Sequence, residues 1–433
     1  MYCGYITVLE SLREHSNADR LLCATVFGNN VIVDKSYYLG QKVVYFPVDG
    51  QLSKEFAEDN NLLRIKDSEG NNVGGYLDPE KRNIRALKLR GEKSDGLILP
   101  IEVLAKYVDI STLAVGDPIT VLNGHEICHK YIPRFTQKKH YSQKNSSTNK
   151  KELKRKISYP YFVEHSDTAQ LAYNRQAFRP GDTCYITLKM HGTSARSSNA
   201  IEVVKKERSK FIKMLGIKDK VIKRYVPVTG TRRVTLQDYN GGFYGSNLFR
   251  KKYHEFFKDK LPKGVEIFYE IVGWVDEDIP IMSRCKNKLI KDKEFTKLYG
   301  DETVFTYGCS QGLNECYVYR MTMVNEDGYT VEIPWEQVQI ECEKLGVKCV
   351  PTFEKFVFTT WEDLIERVNK YYDGADPIGL THIREGVVVR IDNREKFTAY
   401  KHKNWSFKCL EGIIKDTSDA PDMEEAEELM RTS

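Results

Sequence analysis

The chain has 433 residues, of which 41% are hydrophobic and 29% charged, with a formal net charge of +5. That length supports two or three domains with sizeable cores rather than one, and no window approaches the roughly 18 uninterrupted apolar residues of a membrane span. The opening residues, MYCGYITVLESLREHSNADR, lack a basic run followed by an apolar run, so they do not read as a secretory signal; the expectation is a cytoplasmic, intracellular protein with no membrane partner.

Up to about Leu122, five β-rich segments bounded by Gly, Asn, Asp or Pro read as short strands: TVFGNNVIV, KVVYFPV, IRALKLRG, GLILP and DPITVL. Five such strands suggest a small barrel. The run from Lys138 to Lys156 follows, with eight Lys or Arg and one acid, Glu152. It reads as a solvated linker or as a contact to a polyanion. A second domain begins near Tyr159, with strands TCYITLKM, GVEIFYEIVGW, VFTYGC, CYVYRMTMV, EGVVVRI and KFTAYKHK. Helices are predicted at NLFRKKYHEFFKDKL, WEQVQIECEKLG and WEDLIERVNKYYD, and the basic segment Val204–Tyr225 also has helical spacing. Strands and helices do not alternate as they do in a parallel βαβ array, so the expected class is α+β on antiparallel sheet. No internal repeat is present. The ten cysteines include no C-x-x-C pair, which argues against a zinc site and a disulfide framework. The chain ends in an acidic tail, DTSDAPDMEEAEELM.

Isolated charges inside apolar strands carry the chemistry. Lys189 closes an apolar run and is followed by His191 and Gly192; Glu270 stands inside IFYEIVGW; Glu385 precedes a Val-Val-Val run; Lys401 and Lys403 are two apart in FTAYKHKNW. On a strand, residues i and i+2 share a face, so both lysines can aim at one anion. A buried charge costs several kcal/mol unless it is compensated, and five such charges of both signs point to one site. A lysine, with an ordinary pKa of about 10.4, becomes a nucleophile only where nearby cations and desolvation favour its neutral form. Lys401, Lys403 and a metal would supply that field. Two glutamates suit Mg²⁺ or a ribose hydroxyl, and the lysine pair suits phosphates on which Lys189 acts. The product would be a lysine phosphoramidate, and Gly192 would let the backbone approach a nucleotide.

These segments resemble the covalent nucleotidyltransferases, which comprise DNA ligases, RNA ligases and mRNA capping enzymes. Lys189-Met190-His191-Gly192-Thr193-Ser194 looks like the RNA-ligase form of their first motif, K-x-D/H-G. FYEIVG around Glu270 is similar to the third motif, YVYRMT from Tyr317 to its adjunct, REGVVVR around Glu385 to the fourth, and YKHKNWSFKCLEG to the fifth. HSNADRLLCATVFGNNVIV, GQKVVYFPVDGQLS, LKLRGEKSDGLILP and HSDTAQL resemble the nick-sealing, ATP-dependent ligases of the fifth RNA ligase family, whose OB domain precedes the catalytic domain. The Lys-rich linker and the Val204–Tyr225 segment depart from that pattern.

The resemblance implies an OB-fold domain at 1–130, a basic linker at 131–158, a nucleotidyltransferase domain at 159–415 and an acidic tail at 416–433. It implies ATP-dependent RNA ligation through a lysyl-AMP on Lys189, with Lys401 and Lys403 on the α-phosphate and His191, Gly192, Glu270 and either Arg232 or Arg233 on the nucleotide. Glu385, with Glu270, would hold Mg²⁺ or Mn²⁺, and Tyr317 is the expected adenine-stacking ring, with Tyr319 on the same strand face as the alternative. The expected partners are RNA, as a nicked duplex or broken strand, and an end-healing enzyme; the chain is expected to be a monomer. A DNA ligase or capping enzyme is the alternative within the superfamily, though their OB domains generally follow the catalytic domain. An RNA-binding OB protein with an inactive transferase domain is the alternative outside it.

Overall fold

The computed structural model describes residues 2–132, 155–206, 220–236, 238–240, 244 and 246–417. Most of the Lys-rich run, the centre of the Val204–Tyr225 segment and nearly all of the acidic tail lie outside the described residues. The described chain divides into two compact units, one made of 2–132, 285–303 and 403–417, the other of the remainder. Among the described residues the strand pairings are antiparallel except Ala169–Gln170 with Thr398–Lys403 and Asn314–Val324 with Lys348–Cys349, which are parallel, and no described helix is long and apolar enough to cross a membrane.

The first unit is built on a four-stranded sheet in the order Leu97–Pro100, Lys42–Phe46, Gly4–Val8, Pro118–Ile119. Lys42–Phe46 lies inside it and is buried from Val43 to Phe46, so it reads as a continuous apolar run rather than an alternating one. Ile6, Val44, Phe46, Leu52, Phe56 and Ile119 share the core. The segment TVFGNNVIV, expected as one strand, is a hairpin joining Leu21–Val26 to Asn29–Asp34. Phe27 and Gly28 both take positive φ, 49° and 71°, the backbone of a two-residue turn whose twist matches its flanking strands. The strands fall into separate sheets, and among the described residues no closed barrel forms. The helix Trp405–Thr417 was not foreseen; it starts where the Asn404 side chain accepts the amide of Ser406 at 2.7 Å, an N-cap.

The second unit carries two sheets. The larger runs Arg155–Ser158, Thr193–Lys206, Val265–Gly273, Asn314–Val324, Thr330–Glu332, with Lys220–Thr231 also paired to Thr193–Lys206. Helix Leu248–Phe257 buries Phe249, Tyr253 and Phe257. The smaller sheet runs Ala169–Gln170, Thr398–Lys403, Gly386–Ile391, Thr183–Lys189, Thr352–Val357. Cys184 and Ile186 pack there with Val387, Val389 and Ile391, and with Leu364 and Val368 of helix Trp361–Tyr371. Two expectations change. The flanks of the Val204–Tyr225 segment are strand, Lys206 pairing with Lys220, because Val203, Val204, Val221 and Ile222 are β-branched. VFTYGC is a turn rather than a strand, with Phe305 and Tyr307 buried: Tyr307 has φ 52°, outside the β region.

Candidate active site

Lys189 is the last residue of a strand interior to the smaller sheet and stands opposite Gly386. That register brings its Nζ within 2.8 Å of Glu385 Oε1, the residue just before the partner strand. The Glu385 side chain is 2% exposed and that of Lys189 22%, so of the two the lysine is the one that meets solvent. The chain then turns through His191 and Gly192 into Thr193–Lys206 of the larger sheet, where Ser194 stands opposite Glu270. The Ser194 hydroxyl donates to Glu270 Oε2 at 3.1 Å. Burial pushes the Glu270 carboxyl up to about 7, with Lys189 opposing and Glu385 reinforcing the shift. Gly192 is required by the protein itself: a Cβ there would lie 2.3 Å from the Ile271 carbonyl oxygen and 2.9 Å from Glu270 Cγ.

One cavity gathers Lys189, Glu270, Arg232, Tyr319, Arg390 and Lys401. Three cationic side chains, Arg232, Arg390 and Lys401, thus face the same space as the Lys189 head, an arrangement suited to a polyanion. Lys403, two residues beyond Lys401, is engaged elsewhere: its Nζ donates to both Glu411 oxygens at 2.8 Å. Arg233 is not among the lining; it lies 3.9 Å from Asp167, which also accepts from Arg232. The two tyrosines separate as well. Phe268 pairs with Arg320 and Tyr269 with Val318, leaving Tyr319 as the extra residue of a bulge, and the simple alternation that would equate it with Tyr317 fails there. Tyr319 lines the cavity, whereas the Tyr317 hydroxyl donates to Glu315 at 2.7 Å.

Two lining residues were missed by the sequence reading. His165 accepts or donates at 3.0 Å with the Tyr319 hydroxyl and meets its ring edge-on at 5.6 Å. Burial, helped by the Arg232 charge, pushes His165 down to about 3, so its imidazole is neutral. Arg390 donates to the Tyr319 carbonyl at 3.0 Å, its guanidinium carbon 4.9 Å from the Trp335 ring and 5.2 Å from the Phe397 ring. Alternation from Val388 to Arg390 carried that signal, since both line the cavity. Among the described residues, no group of three or more His, Cys, Asp and Glu side chains is arranged to hold a metal ion.

Comparison with known proteins bears on this geometry. The family model described as RNA ligase matches residues 182–409. A mutant of Naegleria gruberi RNA ligase with ATP and Mn superposes with a TM-score of 0.56 at 17% identity, covering 94% of this chain and 98% of that one. The same ligase with PPi gives 0.55 at 17% identity over 97% and 99%. A mutant with AMP and Mn gives 0.54 at 17% over 94% and 98%. At that identity the likeness is one of fold. No curated protein matches.

Proposed function

The chain belongs to the RNA ligase family, and from that premise we propose that it is an ATP-dependent RNA ligase working through a covalent lysyl-AMP on Lys189. Once Lys189 has given up its ammonium proton, Nζ attacks the α-phosphorus of ATP. An N–P bond forms, the bond to the bridging oxygen of the β-phosphate breaks, and pyrophosphate leaves with that electron pair. Glu385, 2.8 Å from Nζ, is within reach of the proton. The AMP then passes to an RNA 5′-phosphate as the N–P bond breaks, and a 3′-hydroxyl oxygen attacks that phosphate and expels AMP. The observation that carries this reading is the Lys189 head in one cavity with Glu270, Arg232 and Lys401, paired to Glu385.

Lys401 and Arg232 are the candidates to meet the phosphates, and Tyr319 is the better ring for adenine because it lines the cavity. Lys403, Arg233 and Tyr317 have partners elsewhere, so a direct role for them rests on the motif alone. Relatives solved with ATP or AMP and Mn support these ligands here. The donor set fits a hard divalent cation: Glu270 and Glu385 are oxygen ligands, and Glu270 is pushed up to about 7, which a nearby positive charge relieves. Glu270 and Glu385 would be the residues of this chain that hold the cation. A bound cation supplies charge against the phosphate oxygens. The first unit is proposed to be the OB-type module that grips RNA at nicks or breaks, which its short antiparallel strands support.

The test is incubation with α-labelled ATP and Mg²⁺ or Mn²⁺, followed by mapping of the modified residue. Wild type should carry AMP on Lys189; Lys189→Ala should carry none, and Lys189→Arg none either, because a guanidinium is not neutral at working pH. AMP found on another lysine, or no labelling, sinks the reading. Sealing of duplexes whose two abutting strands are each RNA or DNA separates the ligase classes.

A further inference from the structure

The turn that carries Lys189 rests on a buried group outside the motifs. The amide of His191 donates to the Tyr307 hydroxyl at 2.7 Å. The His191 ring meets Phe305 edge-on at 4.6 Å. Phe305 and Tyr307 are both almost fully buried, and His382, wholly buried, stands edge-on to each at 5.2 and 4.5 Å. The Tyr307 amide points to His382 Nε2 at 3.4 Å, and His382 Nδ1 lies 2.8 Å from the Ile383 carbonyl. That pattern assigns the proton to Nδ1 and leaves Nε2 as acceptor; burial keeps the ring neutral, holding its pKa below the ordinary imidazole value.

The loop behind it is equally fixed. Asp376, wholly buried, accepts from the amides of Ile378, Gly379 and Thr381 at 3.0, 2.7 and 2.9 Å. Gly379 touches the Tyr307–Gly308 backbone so closely that a Cβ would lie 2.3 Å from the Gly308 nitrogen. Tyr307 and Leu380 both hold left-handed φ, 52° and 55°, a strain that persists only where the surroundings over-determine it. Two strained turns locked against one another thus present a single hydroxyl to the peptide two residues beyond Lys189.

We infer that Tyr307 is a positioning residue for lysine adenylylation: its hydroxyl fixes the His191 peptide, and so the aim of Lys189 at the α-phosphorus, while His382 fixes Tyr307. This rests on the proposed lysyl-AMP chemistry. A misplacement of about 1 Å at a reacting group costs up to about 100-fold in rate, and nothing but the hydroxyl is lost in Tyr307→Phe.

The experiment measures single-turnover lysyl-AMP formation against ATP concentration, and separately the sealing of a pre-adenylylated RNA strand, which bypasses Lys189. Tyr307→Phe should slow adenylylation about 10- to 100-fold with the ATP concentration for half-maximal rate changed less than about threefold, and leave sealing of the pre-adenylylated strand within about threefold. His382→Leu should reproduce that loss, and His382→Gln, which keeps an acceptor, should restore most of it. Equal loss of both steps, unchanged adenylylation, or equal loss in His382→Leu and His382→Gln overturns the inference. If Tyr307→Phe melts below the assay temperature, the His382 pair, compared at a temperature where both are folded, decides. Wild type that takes up no AMP at Lys189 would instead overturn the ligase reading itself.

Discussion

Lys189 Nζ lies 2.8 Å from Glu385 Oε1, and the carboxylate is the buried partner of the two. Strand register sets this pair, since Lys189 stands opposite Gly386 and Glu385 immediately precedes it. Breaking a buried pair is costly when it strands a charge, but the Lys189 side chain, 22% exposed, can turn to water. Glu385→Ala should therefore cost little in stability, on the order of 1 kcal/mol, and much in function. Covalent AMP labelling should fall by about 100-fold or more, the size of losing one preorganised charged group. Labelling with α-labelled ATP across a Mg²⁺ or Mn²⁺ series, beside a thermal melt, checks this; labelling within about threefold of wild type would remove Glu385 from the site.

The two lysines of FTAYKHKNW should separate in experiment. Lys401 lines the cavity, so Lys401→Ala should cost about 2.7–4 kcal/mol in adenylylation, as loss of a preorganised donor does. Lys403 and Glu411 have side chains 11% exposed each and are joined by two bonds of 2.8 Å. Lys403→Ala should thus lower the melting temperature as well, whatever it does to chemistry, because it leaves the Glu411 carboxylate buried without that partner. A double-mutant cycle on the pair should give a coupling of about 1–3 kcal/mol; zero coupling contradicts the geometry.

Glu266 provides a pH test away from the reacting groups. It is 2% exposed, lies 3.5 Å from Arg196, and burial pushes its pKa up to about 8 despite that arginine. A carboxyl raised in the fold adds stability that is complete below its unfolded value near 4.5 and is lost as pH rises through about 8. Glu266→Gln cannot ionise, so its melting temperature relative to wild type should rise steadily from pH 5 to pH 9, by an amount equivalent to about 1–4 kcal/mol. A relative melting temperature that falls over this window would show that the Arg196 attraction outweighs desolvation.

Much of the candidate site was legible because charge inside an apolar strand is conspicuous: Lys189, Glu270, Glu385 and Lys401 all announce themselves this way. What stayed hidden depends on geometry without a local signal. Tyr317 and Tyr319 look equivalent until a bulge separates them. Arg390 is masked by the valines before it, although it shares their alternation. Phe305 and Tyr307 are good strand formers by type, yet Tyr307 takes a left-handed φ, held by tertiary contacts with the His191 amide and the His382 ring. In the first unit KVVYFPV, IRALKLRG and GLILP were readable as strands, but Gly4–Val8 was missed and TVFGNNVIV folds as a hairpin; sheet membership was not readable, since pairing partners are far apart in sequence. The helix Trp405–Thr417 was readable from Asn404 as an N-cap, yet the strand signal of TAYKHK just before it obscured the start.

That helix yields the last prediction. Phe407 and Leu410 are wholly buried, Lys415 reaches Asp49 at 2.9 Å, and the indole of Trp405 donates to the Ser94 carbonyl at 3.3 Å. At its C-terminal end Asp416, with a side chain 8% exposed, accepts from Arg85 at 2.8 Å and from Asn83 and the Tyr131 hydroxyl at 3.2 Å each. An acid at a helix C-terminus opposes the macrodipole, so these donors must more than offset that term. Asp416→Ala removes the acceptor, but Arg85, 45% exposed, can resolvate; no charge is left buried, and the cost should be about 1–3 kcal/mol rather than the 3–5 of a stranded ion. Asp416→Asn, which keeps acceptor geometry without charge, should recover part of it. Amide hydrogen exchange should show the loss as faster exchange across 405–417, with the strand Thr183–Lys189 unchanged and AMP labelling of Lys189 retained at 25 °C. Unaltered exchange in the helix would mean that its apolar face alone holds it, and loss of labelling at full folding would tie the helix end to the chemistry.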